Sequence, residues 1–216
     1  MTTKPKRTKR VSKKARTHAF ILLDRTGSMS SRWDEAVKSV NAYVEELAKA
    51  NAGCKVTLAA FDRLEKTEFD ILRDSVPISD WKPLVNTEVE PRGNTPLLDA
   101  VMRLLGLAKK SNSERSAFII MTDGQENAST EVTKKDVQKA LAQVTKKGWQ
   151  TVFLGVEFDA FADKAGVGGT GISSAYVAGT TRASAVQALS SITANTVQYF
   201  STGVSSTDRI RQYGSK

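Results

Sequence analysis

Two unbroken apolar runs, Ala19-Phe20-Ile21-Leu22-Leu23 and Ala117-Phe118-Ile119-Ile120-Met121, constrain this chain most. Neither alternates apolar with polar residues, which is the pattern of a strand covered by helices on both faces of a parallel sheet. Each run ends at a loop with a carboxylate: Asp24-Arg25-Thr26-Gly27-Ser28-Met29-Ser30 after the first, Thr122-Asp123-Gly124 after the second. Beyond the first loop, Trp33, Val37, Val40, Val44 and Leu47 recur at steps of four and three, one apolar stripe on a predicted helix. A carboxylate and two hydroxyls therefore stand between a core strand and a helix N-terminus, at the strand end where open α/β sheets bind ligands.

The remaining elements follow the same alternation. Val56–Phe61 reads as a second strand, Asp62-Arg63-Leu64-Glu65 as a polar turn, and Thr67–Leu72 as a half-exposed, antiparallel edge strand. The stretch from Arg73 to Asn94, with Pro77, Pro83 and Pro91, reads as a long irregular loop. Its apolar residues Val76, Ile78 and Trp81 either offer a second contact surface or cover the sheet edge. A helix opens at Thr95-Pro96 and buries Leu97, Val101, Leu104, Leu105 and Ala108. Thr133 with Asp136 resembles a capping box ahead of Val137, Leu141 and Val144, and Gly148 suits a C-cap. Then come a strand at Thr151–Leu154, a short helix at Phe158–Lys164, a strand at Ala175–Val177, and a last helix from about Arg182 to Phe200. That helix is expected to bury Val186, Leu189, Ile192, Val197 and Phe200. The fold class this implies is α/β, a doubly wound (Rossmann-like), mainly parallel sheet with one antiparallel edge strand and helices on both faces.

Composition bounds the function. A chain of 216 residues, 40% of them hydrophobic, suffices for one domain with a substantial core, expected over residues 17–202 between a tail at 1–16 and a polar tail at 203–216. No apolar run approaches a bilayer span or a signal-peptide core, so the expected location is cytoplasmic, with no membrane partner. One cysteine, Cys54, and one histidine, His18, leave no internal disulfide, Cys-rich zinc site or imidazole-based triad. The net charge of +9 belongs to the first 16 residues. They carry Lys4, Lys6, Arg7, Lys9, Arg10, Lys13, Lys14 and Arg16 with no acid; taking those eight from 32 basic residues leaves 24 against 23 acidic ones. Such a run is expected to be disordered. Two readings of it stand: it binds nucleic-acid phosphates by counterion release, with the folded domain as scaffold, or it only solubilises the chain.

If the first strand neighbours the fourth, the loops bearing Asp24, Thr26 and Ser28, Thr95, and Asp123 converge at the switch in strand order. Two carboxylates and three hydroxyls are hard oxygen donors, suited to an octahedral dication, most simply Mg2+ or Mn2+, with Ca2+ as the alternative. Gly27 lets the backbone come close in the turn. Asp24-Arg25-Thr26-Gly27-Ser28, Gly93-Asn94-Thr95-Pro96 and Thr122-Asp123-Gly124 together resemble the metal-ion-dependent adhesion site of von Willebrand factor A domains, over about His18 to Thr202. The family pattern is Asp-x-Ser-x-Ser with a distant Thr and a distant Asp; here the middle position is Thr26, which offers the same hydroxyl. The resemblance implies direct coordination by Thr26, Ser28 and Thr95, with Asp24 and Asp123 holding the metal largely through water. It also implies a stand-alone bacterial or phage-like, non-enzymatic interaction module whose metal is completed by an Asp or Glu of a partner protein. Arg25, Arg32, Glu126 and Asn127 are expected to rim the site, where they either choose the partner or are merely solvated. Asp62 either joins that rim or serves the turn.

Two rival motifs read poorly. A haloacid-dehalogenase-like phosphatase also places an Asp after its first strand, but needs a second carboxylate two residues on, where this chain has Thr26. Gly166-Val167-Gly168-Gly169-Thr170-Gly171 spells the dinucleotide fingerprint but lacks a core strand before it and a long helix after it.

Overall fold

The computed structural model describes residues 15–50, 53–122, 126–155, 173–176 and 182–204. Strands β1 (Thr17–Asp24), β2 (Lys55–Arg63), β3 (Thr67–Pro77), β4 (Arg115–Met121), β5 (Gln150–Gly155) and β6 (Ser173–Tyr176) form one sheet in the order β3-β2-β1-β4-β5-β6. Every neighbouring pair is parallel except β2 with β3. Between them run α1 (Trp33–Lys49), α2 (Leu97–Lys110) and α3 (Lys134–Lys146), and α4 (Arg182–Thr202) follows β6. The predicted architecture is the one found, with β1 and β4 adjacent at its centre.

The lack of alternation in β1 has a direct cause. Ala19, Ile21 and Leu23 point into a core shared with α1 and α4, whereas Phe20 and Leu22 point into a second core under α2 and α3. The predicted stripes of α1 and α2 are buried throughout. In α3 the capping box forms: the Thr133 hydroxyl accepts from Asp136 N–H, and the Asp136 carboxylate accepts from Thr133 N–H at 2.9 Å. Gly148 follows α3 at φ +75°, a left-handed conformation suited to glycine. In α4, Ile192 and Phe200 are buried and Leu189 and Val197 partly so, while the side chain of Val186 lies outside the described residues. Thr196 and Tyr199 are buried there too; the Tyr43 hydroxyl donates to Thr196 Oγ1 at 3.2 Å and ties α1 to α4.

Element boundaries differ from those predicted by up to five residues, β2 running on to Arg63 through half of the predicted turn. β3 continues to Pro77 because the register shifts around Leu58 and Ser75 adopts φ +51°, its N–H donating to Thr57 Oγ1 at 3.0 Å. A bulge of this kind breaks the alternation by which a strand is read. β6 spans Ser173–Tyr176, two residues before its predicted start. The loop after β3 packs on the α1 face: Leu84 and Val89 are buried, and Ile78 and Trp81 pack on the α1 core. The short helix at Phe158–Lys164, the glycine run 166–171, and the tail segments 1–14 and 205–216 lie outside the described residues. No helix among those described is long and apolar enough to cross a membrane.

The same bulge involves His18. Its Nε2 lies 2.8 Å from Thr57 Oγ1 and its ring stacks on Phe20; burial, aided by the Lys55 charge, lowers its pKa to about 4. The folded state thus keeps the ring neutral where the unfolded chain, with a pKa near 6.5, takes up a proton. Stability conferred by the neutral ring is complete above about pH 6.5 and is lost as pH falls towards 4, about 2.5 kcal/mol by pH 4.5. Urea denaturation at pH 7.5 and 4.5 checks this. His18→Gln is expected to remove that share of the pH dependence.

Candidate metal centre

β1 ends on Asp24, whose carboxylate is fully buried and shapes the following turn. Its Oδ1 accepts from Thr26 N–H at 2.8 Å and its Oδ2 from the Thr122 hydroxyl at 2.6 Å. The chain then enters a 3-10 turn over Gly27–Arg32, with Met29 N–H donating to Thr26 O at 3.0 Å and the Met29 side chain buried beneath. That turn brings Thr26 Oγ1 and Ser28 Oγ to 3.2 Å. Thr95, just ahead of α2, donates from its hydroxyl to Thr26 Oγ1 at 3.1 Å, so three hydroxyls from two loops form one cluster beside Asp24.

The position of Thr95 depends on its neighbours. Arg63 and Asn94 exchange backbone hydrogen bonds of 3.0 and 2.9 Å, and Gly27 N–H donates to Gly93 O at 3.0 Å. Gly93 has φ +67°, and a Cβ there would fall 2.2 Å from Arg63 O, so only glycine fits this crossing. On the other side, Asn127 Oδ1 accepts from Thr95 N–H at 2.8 Å while Asn127 N–H donates to Thr95 O at 3.1 Å. Glu126 serves the first turn of α2: it accepts from Leu98 N–H, and also from Ala128 N–H, Ser129 N–H and the Ser129 hydroxyl. Ser129 Oγ in turn accepts from Asp99 N–H at 3.2 Å. Two N–H groups of α2 that lack a partner within the helix thus find one in the loop after β4.

Of the predicted donors, Thr26, Ser28 and Thr95 meet, and Asp24 stands one hydrogen bond behind them. Asp123 lies outside the described residues, between Thr122, bonded to Asp24, and Glu126. Arg32 is exposed at the end of the 3-10 turn, as a rim residue would be. Glu126 and Asn127 are engaged in holding α2 and Thr95. Arg25 does not line the rim: its side chain is 5% exposed and turned inward, with Nη2 3.1 Å from Asp62 and 2.6 Å from Asp70. Sequence reasoning passed over Thr122 and Asp99 and left Asp62 undecided. A buried carboxylate at a strand end or in a helix first turn was the available signal, but its partners depend on strand register.

Among the described residues, which do not include Asp123, no three His, Cys, Asp or Glu side chains group as metal ligands; the hydroxyls are the donors that the described residues bring together. Their chemistry fits a hard dication. Ligands at adjacent positions of an octahedron lie about 2.9 Å apart for Mg2+ and about 3.3–3.7 Å apart for Ca2+, from the usual metal–oxygen distances. The observed 3.1 and 3.2 Å fall between these, a spacing compatible with either ion.

No curated protein sequence matches the chain. Solved structures match its fold. The PilB minor pilin from Streptococcus sanguinis is 14% identical with a TM-score of 0.60, over 90% of this chain and 64% of that one. The vWF domain of the type V pili tip protein Mfa5 from Porphyromonas gingivalis is 12% identical at TM-score 0.57, over 89% and 97%. The pilus adhesin SpaC from Lactobacillus rhamnosus GG is 11% identical at TM-score 0.63, over 88% and 31%. The chain thus spans about two thirds of the pilin and under a third of the adhesin, and the part it shares is the sheet with its helices. Residues 20–208 match the family model of the von Willebrand factor type A domain, a range that runs from within β1 past the end of α4 and includes every loop of the hydroxyl cluster, and the chain belongs to that family.

Proposed function

We propose that the chain is a divalent-metal-dependent protein interaction module. Thr26, Ser28 and Thr95 would hold Mg2+ or Mn2+, Asp24 and Asp123 would supply the negative charge behind it, and an Asp or Glu of a partner protein would take the open position. The observation that carries this reading is the meeting of three hydroxyls from two loops, Ser28 and Thr95 each within 3.2 Å of Thr26 Oγ1, beside a buried carboxylate. Hydroxyls are weak ligands in water, so a site made from them needs fixed geometry and nearby charge. Both are supplied by this chain: Asn127, Gly93 and Gly27 fix the loops, and Asp24 lies directly underneath. Bound metal adds one property, an electrophilic centre able to accept a carboxylate. The residues that would hold it stand at the carboxyl end of the sheet, after β1 and ahead of α2.

Calorimetric titration of the full chain with MnCl2 and MgCl2 tests the first half. Binding is expected, with the melting temperature rising by about 5–10 °C at a metal concentration 100-fold above Kd. Absence of heat and of any melting shift with Mg2+, Mn2+ and Ca2+ would refute it. The second half is tested by capture of partners from source cells, where EDTA should release the partner and added Mn2+ restore it.

A further inference from the structure

We propose that Asp62, at the end of β2, is a positioning residue that sets the affinity of this site by holding Arg25 and Arg92, one on each of the two loops that supply the hydroxyls. The inference rests on the metal-binding reading above and concerns a residue outside the ligand set. Asp62 is fully buried; its Oδ1 lies 3.1 Å from Arg25 Nη2 and its Oδ2 2.5 Å from Arg92 Nε. Arg25 sits between Asp24 and Thr26, and Arg92 leads through Gly93 and Asn94 to Thr95. The two loops also touch through their backbones, Arg92 N–H donating to Arg25 O at 2.8 Å and Gly27 N–H to Gly93 O at 3.0 Å. One carboxylate therefore clamps both strands of the junction on which the hydroxyl cluster depends.

Two physical effects act in the same direction. The first is geometric: without Asp62 the half-exposed Arg92 has no buried anchor, and the loop carrying Thr95 keeps only its backbone contacts and the Thr95–Thr26 hydroxyl bond to the first loop. The second is electrostatic. Arg25 is a buried cation whose Nε has no hydrogen-bond partner, so its compensation rests on Asp62 and on Asp70, which is half exposed and screened by water. Removing Asp62 leaves much of that positive charge uncancelled within two residues of Asp24 and Thr26, where it opposes a dication.

The test is Mn2+ titration by calorimetry on the full chain and on Asp62→Asn, at a temperature where circular dichroism shows both folded. Asp62→Asn is expected to weaken Mn2+ binding at least tenfold. A residue that only supported stability would leave the affinity of the folded protein unchanged, so a Kd within twofold of the parent overturns the proposal. Adding Arg25→Met to Asp62→Asn is expected to recover at least threefold by removing the uncancelled charge; no recovery overturns the electrostatic half. If Asp62→Asn does not fold, Arg92→Met carries the test, with at least threefold weaker binding expected and an unchanged Kd overturning the proposal. A parent chain that gives no heat with Mn2+ instead overturns the metal-binding reading itself.

Discussion

Asp24→Asn is expected to weaken Mn2+ binding at least 100-fold while the metal-free protein keeps its melting temperature within about 3 °C. The asparagine has the same volume, and its carbonyl still accepts from Thr26 N–H, which shapes the turn. Its amide then donates to the Thr122 hydroxyl, which rotates from donor to acceptor, so the buried polar pair survives without its charge. What disappears is a buried negative charge beside three neutral hydroxyls, and in a partly desolvated pocket a charge at that distance decides whether a dication prefers the site to water. A 100-fold loss corresponds to about 2.7 kcal/mol, a reasonable share for one carboxylate at reduced dielectric. Calorimetry with the melting curve of the apo form separates the outcomes. Unchanged affinity would reduce Asp24 to a turn former; a collapse of the apo melting temperature would mean the charge itself supports the fold.

Why Asp24 was legible from sequence while its supports were not follows from the range of each signal. Asp24, Thr26 and Ser28 lie within five consecutive residues at the end of an apolar run, and Thr95 opens a helix with a clear stripe. Local pattern fixes such features because an apolar run without alternation marks a strand buried on both faces, as β1 is. Arg25 shows the opposite case. A charged residue next to a metal-site motif reads as rim, yet the hairpin register that pairs Ala60 with Asp70 and Asp62 with Glu68 brings two carboxylates under its guanidinium. No local pattern announces that pairing. β3 runs past its predicted end for a related reason: its second half is only partly buried, carries Arg73-Asp74-Ser75, and turns through a positive φ at Ser75, so the hydrophobic signal that marks a strand is absent where the strand continues. The stripes of α1 and α2 were legible because each packs against a single face of a closed core, though each also buries residues not read there, Tyr43 in α1 and Asp99 and Ala100 in α2.

Asp99→Ala is expected to be the most destabilising single change outside the cores, at about 4 kcal/mol, while leaving Mn2+ affinity of the folded protein within about threefold. Asp99 occupies the first turn of α2 on the buried stripe, where an alanine or leucine would satisfy the periodicity equally well. Its carboxylate is instead fully buried and accepts four hydrogen bonds: from Glu131 and Val132 N–H on Oδ1, and from Thr130 N–H and the Thr67 hydroxyl on Oδ2. A charge at a helix N-terminus is favoured by the helix dipole, and four donors meet its hydrogen-bonding capacity. Alanine leaves three backbone N–H groups without their acceptor, each costing about 1–3 kcal/mol unless water enters. For a chain of this size the melting temperature should fall by about 8–16 °C. Asp99→Asn, with one acceptor oxygen in place of two, should fall between the parent and alanine. Thr95 keeps its own anchors, the two hydrogen bonds to Asn127 and the Arg63–Asn94 exchange, and none of these passes through Asp99. Stability and metal affinity should therefore separate: Asp99 carries the first, Asp24 the second. A melting temperature within 2 °C of the parent, or a Kd shifted as far as in Asp24→Asn, would show that the loop after β4 and the hydroxyl cluster form one unit instead of two.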